Sequence, residues 1–409
     1  MTETLELRIE SIAAGGDGVG RHNGVVVFVP RAAPGDLVRV EAERHDRLMR
    51  GRIVEVLEPS PQRVDPPCGH YVHDRCGGCQ MQHLRYEGQL EAKAAIIRDS
   101  LTRIGATRVD LPLVEASDAP WRYRRKLTLA MRHRGGHWKA GLRRFDAPDE
   151  IFELHDCPIT DQRVVSAWKL VLSQQRLLPH AKELRAAVRV LPASFAFTLE
   201  GGREWRDERA FFEAIPALGE LWWIPEGKSR RLLRSRAVAE QAGASFTQVN
   251  AGVAARLREW VVALAREVRP RTAVDAYAGT GDVAVALAAA GTRVTAIEID
   301  RDAARVCAAR LPDGSRAIAG AVEVELASVL PADLVILNPP RAGVDARVAQ
   351  TLETQRPQPR SVVYVSCDPA TLARDVRRMS SYRVLSLRGF DMFPQTAHVE
   401  TVCELVPAA

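Results

Sequence analysis

Residues 272–282 read Thr272-Ala-Val-Asp-Ala-Tyr-Ala-Gly-Thr-Gly-Asp282, an apolar stretch that runs into a glycine loop ahead of a helical pattern. Glycines at such a turn let the backbone approach a ligand, and the first turn of the helix offers unpaired N–H groups. The next apolar stretch ends in Glu298, where a carboxylate can accept both hydroxyls of a ribose. Because the spacing for a pyrophosphate is missing, the pattern favours S-adenosylmethionine over NAD. A tight turn followed by a surface glutamate is the competing interpretation.

The C-terminal part of the chain is predicted to be a Rossmann-like α/β domain. From about Phe246 onward apolar strand patterns alternate with helical patterns, which is typical of parallel sheets. One of these strands ends in Asn338-Pro-Pro-Arg341, a rigid polar turn at the ligand crevice. Enzymes that methylate exocyclic amines carry an aromatic residue after Asn-Pro-Pro, so Arg341 argues against that chemistry.

The rest of the chain divides into two further regions, which makes this an α/β multidomain protein. Short Val- and Gly-rich strand patterns predict an OB-like β-barrel over residues 1–58. A proline-rich linker, a cysteine-rich loop and mixed strands and helices predict an α+β central region over residues 59–245. The Rossmann-like catalytic domain then occupies residues 246–409. In the linker region, apolar residues at helical spacing predict a helix from about Leu90 to Ile104.

Composition limits the class of protein. The 409 residues are 46% hydrophobic and 26% charged, which is ordinary for a globular protein and excludes a fibrous or disordered chain. No apolar run approaches the length of a membrane span, and the first residues lack a secretory signal pattern. We therefore expect a cytoplasmic protein with no membrane partner. The net charge of +6 is a mild indication of a polyanionic partner.

Four cysteines have a spacing that suggests a metal site. Cys68, Cys76 and Cys79 lie in one Gly- and His-rich loop, and Cys157 lies far downstream in His-Asp-Cys-Pro. Two cysteines separated by two residues are a common ligand arrangement, and four thiolates suffice for zinc or for an iron–sulfur cluster. The spacing does not choose between these metals.

A basic segment between Trp121 and Arg144 contains no acidic residue. The aromatic residues Trp121, Tyr123 and Trp138 are interleaved with its cations, and aromatic side chains among cations suit stacking on unpaired bases. An equally good interpretation is a solvated hairpin face. The cations are Arg122, Arg124, Arg125, Lys126, Arg132, Arg134, Lys139, Arg143 and Arg144.

A cysteine and a glutamate are candidates for covalent chemistry on a pyrimidine. Cys367 follows the strand pattern of residues 361–365, where a helix N-terminus would lower its pKa. Uracil C5 accepts a methyl group only after a thiolate has added to C6, and a base must then remove the C5 proton. Cys367 and Glu400 are the natural pair for these two steps.

These motifs together resemble the S-adenosylmethionine-dependent RNA 5-methyluridine methyltransferases, specifically the iron–sulfur, TRAM-domain type that acts on 23S ribosomal RNA. The resemblance spans nearly the whole chain. Besides the four cysteines, it rests on Gly15–Arg21, Tyr123–Lys126, Ser245–Asn250, Asp275–Gly281, Asn338–Arg341, Ser366–Pro369 and His398–Glu400.

The resemblance implies a [4Fe-4S] cluster on Cys68, Cys76, Cys79 and Cys157. It implies cofactor contacts from Gln248, Tyr277, Glu298 and Asn338, with Cys367 as nucleophile and Glu400 as base. We expect 23S ribosomal RNA as the partner, no binding to DNA, and a monomer.

Two departures from the family pattern matter. Asn338 replaces the usual aspartate, which removes a charge from the pocket, and the stretch Ile318–Ala321 lacks the acidic residue often found after the third strand. Two alternatives stay open, the second of them motivated by Asn338. One is a tRNA uridine C5 methyltransferase, although the simplest tRNA-specific relatives lack both the barrel and the cluster. The other is an RNA-binding or ribosome-assembly factor with a degenerate cofactor pocket.

Overall fold

The computed structural model describes residues 2–236 and 248–408. The predicted N-terminal barrel is confirmed: five strands close in the order β1-β2-β3-β5-β4 around an apolar core. Every second residue of β1, such as Leu5, Leu7 and Ile9, is buried in this core, as expected for a strand with one buried face. The strands are β1 Thr2–Ile12, β2 Gly18–His22, β3 Val25–Val29, β4 Leu37–His45 and β5 Leu48–Glu58.

The segment after the barrel contains the predicted helix, observed as α2, and a short strand that belongs to a distant sheet. α2 ends at Arg103, one residue before Ile104, and packs on the helix that follows Cys367. The strand β6 pairs in parallel with β19 near the C-terminus, so this segment helps to build the C-terminal sheet. The elements are α1 Gly69–Val72, α2 Tyr86–Arg103 and β6 Leu113–Glu115; β19 is Tyr382–Phe390.

The central region forms a seven-stranded sheet in the order β13-β12-β11-β10-β7-β8-β9, with β11 and β12 parallel and the other neighbours antiparallel. Aromatic residues such as Trp168, Phe197 and Phe211 join helices α3 and α4 to one face of this sheet. The strands are β7 Lys126–Arg134, β8 His137–Arg143, β9 Ile151–Glu153, β10 Glu183–Val190, β11 Phe195–Glu200, β12 Leu218–Ile224 and β13 Arg231–Ser235. The helices are α3 Gln162–Ser173 and α4 Glu208–Glu213.

The predicted parallel sheet is confirmed in the C-terminal region. Its order is β16-β15-β14-β17-β18-β20-β19-β6, with the first five strands parallel and β20 antiparallel to both of its neighbours. The strands are β14 Thr272–Ala276, β15 Arg293–Glu298, β16 Arg316–Ala319, β17 Leu334–Leu337, β18 Ser361–Ser366, β19 as above and β20 Glu400–Pro407. The helices are α5 Ala251–Val268, α6 Asp282–Ala289, α7 Arg301–Arg310, α8 Val322–Val329, α9 Ala346–Thr354 and α10 Pro369–Arg377.

Helices cover both faces of this sheet. α5, α6 and α7 pack over one core, and α2, α8, α9 and α10 pack over the other. The expected boundary between the central and C-terminal domains, at residues 245 and 246, lies outside the described residues, and the domain boundaries stay a prediction. In the described ranges, none of the helices combines the length and the apolar character needed to cross a bilayer.

Candidate active site and cysteine centre

Four of the predicted site residues lie at the carboxyl ends of neighbouring parallel strands. Tyr277 follows β14, Glu298 ends β15, Asn338 follows β17 and Cys367 follows β18. The backbone N–H of Asn338 donates to the carbonyl of Ala276, which joins two of these strand ends at 3.3 Å. In parallel α/β sheets this edge forms the ligand crevice. The four residues, which are distant in sequence, therefore line one site.

The glycine loop between β14 and α6 is held in a conformation that glycine favours. Gly279 and Gly281 have φ of +57° and +82°, and an added Cβ at Gly281 would lie 2.3 Å from Sγ of Cys307. Tyr277 also has positive φ, +64°, a strained conformation for a non-glycine residue that is found at ligand-binding turns. The Glu298 carboxylate accepts a hydrogen bond from the Gly279 N–H at 2.8 Å. The loop and the carboxylate therefore form one cradle.

A second carboxylate under this cradle was not among the predicted site residues. Asp275 is buried in β14 and accepts a hydrogen bond from the Ala284 N–H in α6 at 3.0 Å. Burial, with a contribution from the charges of Glu298 and Asp282, raises the pKa of Asp275 to about 7. An aspartate inside an otherwise apolar strand pattern was the signal that could have identified it. It ties the glycine loop to the first turn of α6.

Gln248 is half-buried and lies two residues before Asn250, which caps α5. The side chain of Asn250 accepts from the Val253 N–H and donates to Ser117 Oγ at 2.9 Å. The preceding residues 245–247, which also contributed to the family motif, lie outside the described residues. Asn338 is exposed at its strand end, and its side chain carries no formal charge.

The sheet register brings Cys367 and Glu400 together. Ser366 at the end of β18 pairs with Thr401 in antiparallel β20, so the next residue on β18 lies opposite the preceding residue on β20. Glu400 is only 5% exposed, and burial raises the pKa of its carboxyl to about 7. Cys367 is half-buried beside it. A thiol and a carboxyl far apart in sequence thus share one end of the sheet.

The expectation that a helix N-terminus lowers the pKa of Cys367 is wrong. Burial raises the pKa of this thiol, and the charge of Glu400 raises it further. In addition, the side chain of Asp368 accepts hydrogen bonds from the Ala370 and Thr371 N–H groups at 2.9 Å. The first turn of α10 is therefore already capped by a carboxylate, whose charge also disfavours the thiolate.

Arg341 is the cation of this site, and the sequence interpretation gave it no role. Its positive charge lowers the pKa of Cys367 and Glu400 against the larger, opposite effect of burial. For His398 burial is also the larger cause, and there both effects lower the pKa. The turn that carries it is held against α10, because Thr371 Oγ1 donates to the Arg341 carbonyl at 3.3 Å and Arg374 donates to the Ala342 carbonyl at 2.7 Å. Its position after Asn-Pro-Pro was the signal available in the sequence.

All four predicted cysteine ligands line one cavity of about 90 Å³. Each is buried, and burial raises the pKa of Cys76 to about 11 and also raises the pKa of Cys79 and Cys157. Cys157 reaches this cavity from the loop before α3, where Arg122 forms a two-point ion pair with the neighbouring Asp156 at 2.7 and 2.8 Å. Among the described residues, no three His, Cys, Asp or Glu side chains form a group that could hold a metal ion.

The basic segment forms the expected hairpin, with β7 and β8 joined by Gly135 and Gly136, both at positive φ. Of the two interpretations left open for this segment, base stacking does not hold for two of its aromatic residues. Tyr123 is 8% exposed beside the cysteines, and Trp138 is 7% exposed in the core of the central sheet. Because their rings pack against protein, they offer no open face to a base. Arg124 lines the cysteine cavity and also lies away from the hairpin tip.

Comparison with known proteins gives a consistent result. The sequence profile of the tRNA (uracil-5-)-methyltransferases matches residues 231–316 and 312–406, and that of the TRAM domain matches residues 2–54. An uncharacterized RNA methyltransferase of Thermosynechococcus vestitus is 32% identical over 98% of both chains, and one of Synechocystis is 31% identical over 97% of this chain and 94% of its own.

One solved structure has the same fold over its full length. It is the Pyrococcus abyssi tRNA (uracil-54, C5)-methyltransferase in complex with S-adenosyl-L-homocysteine, with a TM-score of 0.70 and 24% identity, covering 98% of this chain and 99% of that one.

Proposed function

Since the chain belongs to the S-adenosylmethionine-dependent RNA uracil-5-methyltransferases and carries a TRAM domain, we propose that it methylates C5 of a uridine in 23S ribosomal RNA through a covalent cysteine adduct. The observation that carries this proposal is the pairing of β18 with β20, which sets Cys367 opposite Glu400. Such a pair can perform both steps that uracil C5 chemistry requires.

The residues of the cradle would hold the cofactor. The Glu298 carboxylate, already bonded to the Gly279 N–H, retains lone pairs that would accept ribose hydroxyls, and Tyr277 and Gln248 are proposed as further cofactor contacts. Asn338 supplies a neutral amide, which accepts one hydrogen bond where a carboxylate would accept more. Bound S-adenosylmethionine supplies an electrophilic methyl group, and these residues orient it toward the crevice.

The reaction begins when the thiolate of Cys367 adds to C6 of a uracil that has been extruded from its RNA stack. The C5–C6 double bond opens, and its electrons make C5 an enolate-like nucleophile. C5 then forms a bond to the cofactor methyl group as the methyl–sulfur bond breaks. Glu400 takes the C5 proton, the double bond re-forms and the thiolate of Cys367 leaves. Arg341 favours the thiolate by its positive charge.

The four cysteines are proposed to hold a [4Fe-4S] cluster. Each iron of such a cluster takes one thiolate, so its ligands surround a cavity and need not converge on a single point. This fits four buried thiols around about 90 Å³ better than a single ion, which requires a close group of ligands.

RNA is proposed to contact the barrel and the exposed cations of the hairpin. Arg134 and Lys139 lie on the exposed part of β7 and β8, away from the buried aromatic residues. Phosphate contacts by such cations give affinity without base specificity. The protein is proposed to act as a monomer with three domains, at residues 1–58, 59–245 and 246–409.

A tRNA substrate is the second candidate. The Pyrococcus abyssi enzyme that matches this chain from end to end is a tRNA (uracil-54, C5)-methyltransferase. A barrel-bearing chain of this fold is thus compatible with tRNA, and the presence of a barrel does not by itself select ribosomal RNA.

The test is mass mapping of 5-methyluridine in 23S ribosomal RNA and in tRNA from cells with and without the gene. We expect one 23S ribosomal site to lose its methyl group in the deletion strain. Complementation with the intact gene should restore it, and the Cys367→Ala gene should not. Loss from tRNA alone would replace the ribosomal substrate with the second candidate. Unchanged 5-methyluridine in both RNAs, with no S-adenosylmethionine bound in a titration, would favour an assembly factor.

A further inference from the structure

The connection between β19 and β20 leads directly into Glu400, the first residue of β20, and it contains a residue with a strained backbone. It runs over residues 391–399, and Gln395 lies near its middle with φ of +70° and only 3% exposure. A left-handed backbone at a non-glycine residue is costly, and it persists only when surrounding contacts determine it. The contacts at Gln395 therefore decide where the last residues before Glu400 lie.

One set of contacts comes from Gln89 on α2. The Gln395 N–H donates to Gln89 Oε1 at 2.9 Å, and Gln89 Nε2 donates to Gln395 Oε1 at 3.0 Å. Gln89 is 1% exposed, and its Nε2 also donates to the Leu84 carbonyl. Because buried amide groups without partners are costly, this two-point contact fixes both the backbone and the side chain of Gln395.

A second set comes from the loop that carries the cysteines. The N–H groups of Gln80 and Met81, the two residues after Cys79, donate to the Gln395 carbonyl at 3.1 and 3.0 Å. The side chain of Gln80 bridges the two segments, accepting from the Ala397 N–H at 3.4 Å and donating to the Gly77 carbonyl at 3.0 Å. The cysteine loop is thus bonded directly to the segment before Glu400.

Further contacts hold the same connection. The Tyr123 hydroxyl, whose ring packs among the cysteines, donates to the Pro394 carbonyl at 3.0 Å. Lys93 of α2 is fully buried, pairs with Asp391 and donates to the Phe393 carbonyl at 3.1 Å. The cysteine region therefore bonds to the connection on both sides of Gln395, and α2 bonds to it at and before Gln395.

The geometry points to Gln395 as a positioning residue, through which the cysteine loop and α2 hold Glu400 in place for proton removal. This inference rests on the role proposed for Glu400. A structural change at Cys76 or Cys79 would reach Glu400 through Gln80 and Gln395. The cysteine loop would therefore influence product release, although it lies outside the crevice at the strand ends.

The test compares variants of the full-length protein. Gln395→Val places a β-branched residue at positive φ. Gln89→Leu removes both hydrogen bonds to Gln395, together with the one to Leu84, at nearly constant volume. Each should slow product release by about tenfold or more. A barrier raised by about 1.4 kcal/mol slows a step tenfold, and the cost of one strained backbone residue such as Gln395 is of that order. Gln395→Gly, which suits positive φ, should recover most of that loss. Gln350→Leu, on the exposed side of α9, is the matched control.

Two readouts separate positioning from general damage. Cys367 should still add to 5-fluorouridine RNA at close to the wild-type rate in Gln395→Val and Gln89→Leu, while turnover on ordinary RNA falls and the adduct accumulates. Independently, amide hydrogen exchange over residues 395–399 should be about tenfold faster in these variants, and in Cys79→Ser, than in wild type.

The inference is overturned if adduct formation and turnover fall together, or if exchange over residues 395–399 matches that of wild type and of Gln350→Leu. Failure of the proposed function has a different result. Wild type would then form no adduct with 5-fluorouridine RNA, and the exchange measurement would still decide whether the cysteine loop holds this connection.

Discussion

Replacement of Glu400 by glutamine should separate methyl transfer from product release and should also stabilise the fold at alkaline pH. Burial raises the pKa of Glu400 from its ordinary 4.5 to about 7. A base with this pKa is half ionised at neutral pH, so release in the wild type should fall about tenfold per pH unit below 7. Glu400→Gln removes the base and should slow release by roughly 100- to 10 000-fold.

The stability effect follows from the same pKa. Because the folded state holds the proton more tightly than the unfolded chain, stability is full below pH 4.5 and is lost as pH rises from 4.5 to 7. At 1.36 kcal/mol per pKa unit, ionised Glu400 costs the folded state at most about 3 kcal/mol above pH 7. Glu400→Gln should therefore unfold at a higher temperature than wild type at pH 8.5 and at the same temperature at pH 4.

Denaturing electrophoresis of enzyme with labelled RNA should reveal an accumulating adduct for Glu400→Gln, and thermal unfolding at the two pH values should give the stability difference. Glu404→Gln is the control, since Glu404 is also buried in β20 but contacts Ser361 and Ser386 away from the crevice. Turnover of Glu400→Gln at the wild-type rate would refute the role of base. Equal stabilisation at both pH values would refute the electrostatic argument.

Three other predictions test the remaining parts of the site. Cys367→Ala should abolish turnover and adduct formation while S-adenosylmethionine and RNA still bind in a titration; methylation by this variant would contradict the covalent mechanism. Anaerobically purified protein should be brown, with about four irons and four sulfides per chain by chemical analysis, and Cys157→Ser should lose them; colourless protein with stoichiometric zinc would contradict the cluster. The double variant Arg134→Glu, Lys139→Glu should bind RNA more weakly and with a shallower salt dependence, and an unchanged salt slope would leave the hairpin as a solvated face.

Local patterns were enough to predict the features that depend on neighbouring residues. The glycine loop of residues 277–281 was recognisable because its turn needs glycine at defined positions, and α2 was recognisable because apolar residues recur at helical spacing. The alternation of strands and helices after residue 246 predicted a parallel sheet. Because the carboxyl ends of parallel strands lie at the same edge of a sheet, Glu298 and Asn338 were expected at that edge. Each of these signals is contained in a short stretch of sequence.

Only the tertiary structure decided which distant segments meet. Nothing in residues 361–366 or 400–407 identifies the two strands as antiparallel neighbours, and this pairing is what brings Cys367 to Glu400. The sequence around Trp138 does not distinguish a side chain that faces solvent from one that faces the core. The structure buries Trp138, which leaves no ring face open for base stacking. Gln89 and Gln395 are 306 residues apart and contact each other because α2 packs beneath the C-terminal sheet. Non-local contacts and the pKa values they set depend on packing, which short-range sequence patterns do not encode.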